Sequence, residues 1–387
     1  MFSSRVPGEL LPNRIAAARE ASPPRFDLTV SNPTGCGIAY PPDLLAPLAD
    51  PEGLAYRPHP RGLRVARTAA AREYRRHGLE VDPERVLLTA STSEAYAFLF
   101  KLLAEPGEAV LVPTPSYPLF EHLANVEGIA AVPYRLDTEA GWRLDLPALA
   151  HAPENARALV VVHPNNPTGS FVHPDDAAAV AALAAERGWA LIADEVFLDY
   201  PLSGGPGASM SFAARDEVLI FTLGGLSKSV GLPQLKLAWI VTGGPQPAVT
   251  TALDRLEFIA DTFLSVATPV QLALPDLLHR GSAVREAILE RCRRNLVALR
   301  HVASRVPAVA LLEPGGGWSA VLRFPAVLAE EELVLELLRE DGVAVHPGYF
   351  FDFPMEGVLV VSLLPESAVF AEGVERLLAR IGMHLSR

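Results

Sequence analysis

The sequence predicts an α/β fold: a large domain with a mostly parallel sheet and helices on both faces, joined to a smaller α+β domain. Three observations predict it. From about residue 62, short apolar runs of strand length alternate with helix-length patterns, which is the signature of parallel βαβ units. Several of those runs end in polar clusters, where open α/β sheets bind ligands. Beyond residue 285 the alternation gives way to long charged helices separated by isolated strand-like runs.

In chain order, Leu63 to Arg76 reads as a helix and Arg85-Val-Leu-Leu-Thr as a short apolar strand. Ser91 to Leu103 reads as a helix, Ala109-Val-Leu-Val-Pro as a strand, and Ala158-Leu-Val-Val-Val-His as a strand entering a Pro/Asn/Gly loop. Asp175 to Arg187 is an Ala-rich helix, followed by the strand Trp189-Ala-Leu-Ile-Ala-Asp. Val218 to Leu223 and Leu237 to Val241 read as two further buried strands. Such continuous apolar runs suit strands covered on both faces. The later elements are the helix Glu286 to Ser304, the strand-like Trp318-Ser-Ala-Val-Leu-Arg, and the helix Glu330 to Glu340. Val343-Ala-Val-His, Val358-Leu-Val-Val-Ser and a last helix to Met383 follow. The expected division is a large domain over 50–285, a small domain over 286–387, and an N-terminal segment, 1–49, that completes the small domain.

Composition narrows the function. With 387 residues, half of them hydrophobic, the chain has material for a sizeable core. A formal net charge of −12 argues against a nucleic-acid partner, which requires a basic footprint. Two cysteines, Cys36 and Cys292, give neither a metal spacing nor a disulfide framework. The N-terminus shows no signal-like apolar run, and no run is long enough to span a membrane. A cytoplasmic location is the expectation.

Lys228 lies in Thr222-Leu-Gly-Gly-Leu-Ser-Lys-Ser-Val-Gly-Leu-Pro, between two apolar strands. Most loop lysines keep their ammonium in water. A desolvated lysine loses pKa, and its neutral amine attacks carbonyls. A Schiff-base lysine is the sharper hypothesis, with pyridoxal phosphate its usual carbonyl partner. Four further features support it. Ser91-Thr92-Ser93-Glu94 opens a helix and can cradle a phosphate, although Ser91 with Glu94 is equally a capping box. Asp194 ends a strand, where a carboxylate beside a pyridine nitrogen favours the protonated ring. Asn166 lies in the Asn165-Asn166-Pro167-Thr168-Gly169 turn and can donate to a ring oxygen. Tyr117, after the Ala109 strand, can stack on a planar ring.

In this order the motifs Asn166-Pro-Thr-Gly169, Asp194-Glu-Val-Phe197 and Gly225-Leu-Ser-Lys228, followed by Gly231-Leu, resemble the fold-type I aminotransferases of class I and II. The resemblance runs over most of the chain. It implies that Lys228 carries pyridoxal phosphate and then shuttles the proton, and that Asp194 holds the pyridinium. It also implies that Asn166 bonds the ring hydroxyl, Tyr117 stacks on the ring, and Ser91, Thr92 and Ser93 hold the phosphate. Tyr56, in Tyr56-Arg-Pro-His-Pro-Arg-Gly62, matches a tyrosine that members extend to the phosphate of a neighbouring subunit, so a homodimer is implied.

Four positions depart from the family pattern. Lys236 stands eight after Lys228, where arginine is usual; Lys236 is thus a phosphate contact without a bidentate fork. Gly225 replaces a common serine. Phe197 replaces the tyrosine of Asp-Glu-Val-Tyr and removes a phenol from the ring oxygen. Val360, in Val358-Leu-Val360-Val-Ser362-Leu, stands where members place the arginine that clamps the substrate carboxylate. The expected activity is transamination of an amino acid, neutral rather than aspartate, with a 2-oxo acid; a β-eliminating lyase or a decarboxylase is the alternative. Arg323 is the favoured substitute cation. A ligand-binding regulator on the same fold would need an appended DNA-binding segment, and none is visible.

Overall fold

The computed structural model describes residues 2–8, 11–205, 207–208 and 210–386. Its main feature is an eight-stranded sheet. The strands are β1 (Val86–Thr89), β2 (Ala109–Thr114), β3 (Ala130–Asp137), β4 (Arg143–Leu144), β5 (Ala156–Val162), β6 (Ala190–Asp194), β7 (Ile220–Gly225) and β8 (Ala238–Gly243). Their spatial order is β1-β8-β7-β6-β5-β2-β3-β4. The five strands β3, β2, β5, β6 and β7 run parallel, while β8 is antiparallel to both β7 and β1, and β4 to β3.

Period-two alternation sorts the side chains of this sheet into two cores. On β5, Ala158, Val160 and Val162 pack on one face, with Tyr96, Phe98 and Leu99 of the helix Thr92–Leu103 (α1) and Leu256 of the helix Gln246–Phe263. Leu159 and Val161 pack on the other face, with Ala177, Val180 and Ala184 of the helix Pro174–Arg187 (α2). Both faces being covered explains why these strands read as unbroken apolar runs.

A second sheet has four antiparallel strands: β9 (Ala310–Leu312), β10 (Ser319–Arg323), β11 (His346–Pro347) and β12 (Val358–Ser362), in the order β9-β10-β12-β11. The N-terminal segment is tied to this part of the chain. Phe26–Asp27 pairs in parallel with Val343–Ala344, and the Ser362 N–H donates to the Leu28 carbonyl at 2.7 Å. Tyr40 then crosses to the large sheet, its hydroxyl donating to the Gly231 carbonyl at 2.7 Å.

Element boundaries differ from expectation in two instructive places. The helix expected over Glu330 to Glu340 is α-helical only over Glu330–Glu336 and continues as a π-helical turn, Leu337–Asp341, ending at Gly342 with φ 67°. Leu237 to Val241 forms a strand as expected, but an antiparallel one, β8. That direction decides where Lys236 goes.

Candidate active site

β1 and β7 each lie antiparallel to β8, so they run the same way as β6, β5 and β2. Their carboxyl ends share one edge, and the antiparallel β8 starts at that edge. Across it, in spatial order, come Ser91 after β1, Lys236 before β8, Lys228 after β7, Asp194 at the end of β6, Asn166 after β5 and Tyr117 after β2. Six of the residues expected from sequence thus meet along one sheet edge. Tyr56 is held in the loop before Gly62, which the Arg61 carbonyl anchors to Leu88 N–H of β1 at 3.0 Å. Gly62 has φ 89°, and a Cβ there would lie 2.5 Å from the Leu88 side chain, so only glycine admits this approach. Tyr56 itself is 75 % exposed.

Lys228 is largely buried. Its ammonium has no hydrogen bond or ion pair among the described residues; it faces the rings of Trp318, 4.9 Å from the centroid, and Phe197, 5.5 Å. Burial lowers the pKa of this amine, and the negative charge of Asp194 opposes that only in part. The Tyr200 hydroxyl donates to the Lys228 carbonyl and fixes the short turn that carries the lysine.

Asp194 shows the complementary imbalance. One carboxylate oxygen accepts the Tyr96 hydroxyl at 2.9 Å, the other the Val196 N–H at 3.2 Å. Burial raises its pKa despite those donors and the positive charge of Lys228. Among the described residues it forms no salt bridge. A cationic ring nitrogen beside it would supply the missing counter-charge.

The phosphate candidates divide. Ser91 caps α1, its Oγ accepting the Glu94 N–H at 3.1 Å, so the capping reading holds. Glu94 returns to the Ala90 N–H at 2.7 Å. As an acceptor in the cap, the Ser91 hydroxyl keeps its own proton to donate. Thr92 and Ser93 hydroxyls have no partner among the described residues, at the positive end of a 12-residue helix. Lys236 is exposed in a left-handed conformation, φ 50°. Asn166 accepts weakly from Ser319 Oγ, at 3.4 Å, which leaves its amide N–H groups free, whereas Asn165 is consumed by Pro115, Ser116 and Thr168. Tyr117 is 50 % exposed and stacks on no ring among the described residues. An unpaired amine, a carboxylate lacking a cation, an open helix N-terminus with hydroxyls and a free aromatic face together fit pyridoxal phosphate.

A family model for aminotransferase class I and II matches residues 30–381. The chain belongs to the class I and II aminotransferases. It is a pyridoxal-phosphate-dependent transaminase acting on amino acids. Alanine aminotransferase of Mycobacterium tuberculosis is 28% identical over 381 residues, covering 94% of this chain and 87% of that protein. Glutamate-pyruvate aminotransferase AlaA of Escherichia coli is 26% identical over 374 residues, covering 93% and 90%. Among solved structures, an aminotransferase from Mycobacterium tuberculosis superposes with a TM-score of 0.84 at 21% identity, over 100% of this chain and 99% of that one.

Three residues of this aminotransferase site escaped the sequence reading. Tyr96 reads as one more core aromatic in an apolar helix, yet its hydroxyl reaches Asp194. Trp318 and Ser319 read as strand residues, yet they border Lys228 and Asn166. Nothing in the local pattern marks them. Two expectations about the substrate also change in content. Val360 is 2 % exposed and packs with Val321, Phe351 and Phe353, so the arginine's place is filled apolar core rather than open pocket. Arg323 pairs with Glu139 at 3.0 Å on the surface. It lies four residues along β10 from Ser319, roughly 13 Å of strand, so the structure does not deliver it to Lys228.

Proposed function

We propose that this transaminase prefers neutral amino acids, and that Lys228, Asp194, Asn166, Tyr117, Thr92, Ser93, Ser91 and Lys236 form its cofactor and reaction site. The observation that carries the reading is Lys228 itself: a buried amine of lowered pKa, without a protein partner, at the same sheet edge as a carboxylate that lacks a cation. Pyridoxal phosphate supplies an electron sink for carbanion chemistry when bound. The residues do the rest. Asp194, oriented by Tyr96 and Val196, keeps a proton on the ring nitrogen. Thr92 and Ser93 hydroxyls, the α1 N-terminus and Lys236 hold the phosphate, and Asn166 donates to the ring oxygen. With the cofactor bound, Lys228 would move a proton at the substrate Cα, and the burial that lowers its pKa favours the neutral amine such a transfer needs. The aromatic walls of Phe197 and Trp318 exclude water around it.

The substrate preference rests on the lack of a cation beside Lys228 among the described residues: Val360 fills the place of the usual α-carboxylate arginine, and Arg323 is paired with Glu139. A relative named for alanine supports a neutral partner, and one named for glutamate-pyruvate transfer pairs such a partner with a dicarboxylic one. Borohydride reduction is expected to fix the cofactor on the Lys228 peptide of the wild type and not of Lys228→Ala. A screen of amino acids is expected to give alanine or another neutral acid a higher kcat/KM than aspartate. The reverse ranking overturns the preference, and release of ammonia or thiol without an acceptor identifies the eliminating alternative.

The same reading includes a homodimer in the cytoplasm. Tyr56 at 75 %, Leu54 at 91 % and Phe258 at 76 % exposure are large apolar groups left bare on this chain, which supports burial against a second copy. Both cysteines are buried and free. Sedimentation is expected to give twice the chain mass at assay concentration, and a fully active monomer overturns the assembly. The domain division at 285, with residues 1–49 joining the second unit, is supported by the two sheets and by the Phe26–Asp27 pairing.

A further inference from the structure

We propose that the indole N–H of Trp318 receives the substrate's carboxylate in this chain, in place of the missing arginine. The inference rests on the transaminase site described above and names the residue that selects its substrate.

Trp318 stands at the start of β10, after three glycines. The Gly317 N–H donates to the Tyr200 carbonyl at 2.9 Å, and the Trp318 carbonyl accepts the Leu363 N–H at 2.7 Å, so the backbone on both sides of the indole is fixed. The ring is 4 % exposed and packs edge-to-face with Phe197, at 5.3 Å, and Tyr200, at 5.0 Å. It lies 4.9 Å from the reactive amine of Lys228. The Gly316 N–H donates to the Gly169 carbonyl at 2.9 Å, which couples the glycine run to the turn carrying Asn166. Trp318 therefore belongs to the wall around the reacting atoms.

Its Nε1 is buried and has no hydrogen-bond partner among the described residues. Trp239 shows the usual solution, its Nε1 donating to the Tyr74 hydroxyl at 3.3 Å. A buried donor left unpaired is expensive, and native structures rarely keep one without a use. An indole N–H donates and cannot accept, so the partner it lacks is an acceptor. The acceptor that a transaminase brings to its lysine is a carboxylate on the carbon bearing the amine. The cation that would otherwise meet it is absent: Val360 is packed in the core, its cross-strand partner is Val321, and Arg323 is spent on Glu139. One neutral donor in an aromatic wall binds one carboxylate and offers nothing to a second. The substrate class this points to is an amino acid held through a single carboxylate, that of its α-carbon.

The test uses the cofactor-loaded enzyme and two probes that cannot lose an α-proton. One is α-methylalanine. The other is tert-butylamine, which carries a methyl in place of the carboxylate. Trp318→Phe keeps an aromatic ring but removes the N–H together with part of the indole, so tert-butylamine serves as the control for the lost volume. Absorbance titration is expected to show α-methylalanine bound about tenfold or more weakly by Trp318→Phe, with tert-butylamine within about twofold of wild type. Equal losses for both probes, or no loss for α-methylalanine, overturn the proposal. Should Trp318→Phe fail to fold, indole ¹⁵N spectra of the wild type decide it. Of the four tryptophans, the Trp318 signal is expected to shift with α-methylalanine and not with tert-butylamine, and a static signal overturns the proposal. A wild type that forms no reducible link through Lys228 removes the site reading instead; a wild type that forms it while Trp318→Phe binds both probes normally removes only this one.

Discussion

Tyr96→Phe isolates the hydrogen bond that sets Asp194. Tyr96 is 2 % exposed, and its ring packs against Phe100 at 5.8 Å and Phe120 at 5.4 Å; phenylalanine preserves that packing and deletes one oxygen. The Tyr96 hydroxyl is one of two donors to Asp194, at 2.9 Å, and its loss leaves Oδ2 with none among the described residues. A hydrogen bond to a charged group is worth about 1.5–3 kcal/mol, or roughly one to two pKa units. The sign follows from the donor. Tyr96 favours the carboxylate, so deleting it moves a carboxyl already raised by burial further up. Asp194 then takes up its proton at higher pH, and the anion that pairs with the cofactor's ring nitrogen is lost earlier as pH falls. The acid limb of kcat/KM is expected to move up by about one to two pH units, and cofactor affinity to fall about tenfold or more, with the alkaline limb unchanged. Rate profiles and spectral cofactor titration on both proteins read this directly. An acid limb and an affinity that match the wild type refute the assignment of Tyr96 as the residue that positions Asp194.

Glu195 gives a stability prediction of opposite character. Burial, opposed by the Phe212 N–H and Ser211 hydroxyl donors, pushes its pKa up from 4.5 to about 8. The folded chain thus holds a proton that the unfolded chain has released, and this group's contribution to stability falls as pH rises from 4.5 to about 8, by up to about 1.4 kcal/mol per unit. Glu195→Gln removes that slope, so the variant gains on the wild type between pH 5 and 8 in urea unfolding with saturating cofactor; a difference that is flat in pH contradicts the assignment. Lys236→Ala is expected to weaken cofactor binding by about 1.5–3 kcal/mol, and an unchanged affinity places Lys236 off the phosphate.

The large sheet was legible because its central strands are covered on both faces, which forces continuous apolar runs such as Ala158 to Val162. The strand Ala130–Asp137 was not legible, since half of its residues are exposed, and Pro133 breaks the pattern. Site residues that follow strands announced themselves by being polar where the chain had just been apolar. Tyr96 and Trp318 could not, because each is an aromatic among apolar neighbours, and only the tertiary fold brings the Tyr96 hydroxyl to Asp194 and the Trp318 ring to Lys228. Chain direction was the other hidden quantity. Lys236 reaches the reactive edge because β8 enters the sheet there antiparallel, a fact carried by pairing and not by the composition of the strand.

Val360, where the family resemblance implies an arginine, is built into a core. Its strand β12 pairs with β10 so that Val360 faces Val321, and the pair packs with Phe351, Phe353 and Val358. A guanidinium at this position would need water or a carboxylate, and the surrounding side chains offer neither; an unpaired buried charge costs several kcal/mol. Arg323, on the paired strand, is already committed to Glu139. Restoring the family clamp would therefore require several coordinated changes, including smaller residues at Val321 or Phe351. The apolar wall is self-consistent, and among the described residues it leaves Lys228 with aromatic faces, an indole whose donor is unpaired, and no second cation. Under the proposed preference for neutral amino acids, selectivity comes from what the site refuses: a second carboxylate would be desolvated against rings that cannot answer it.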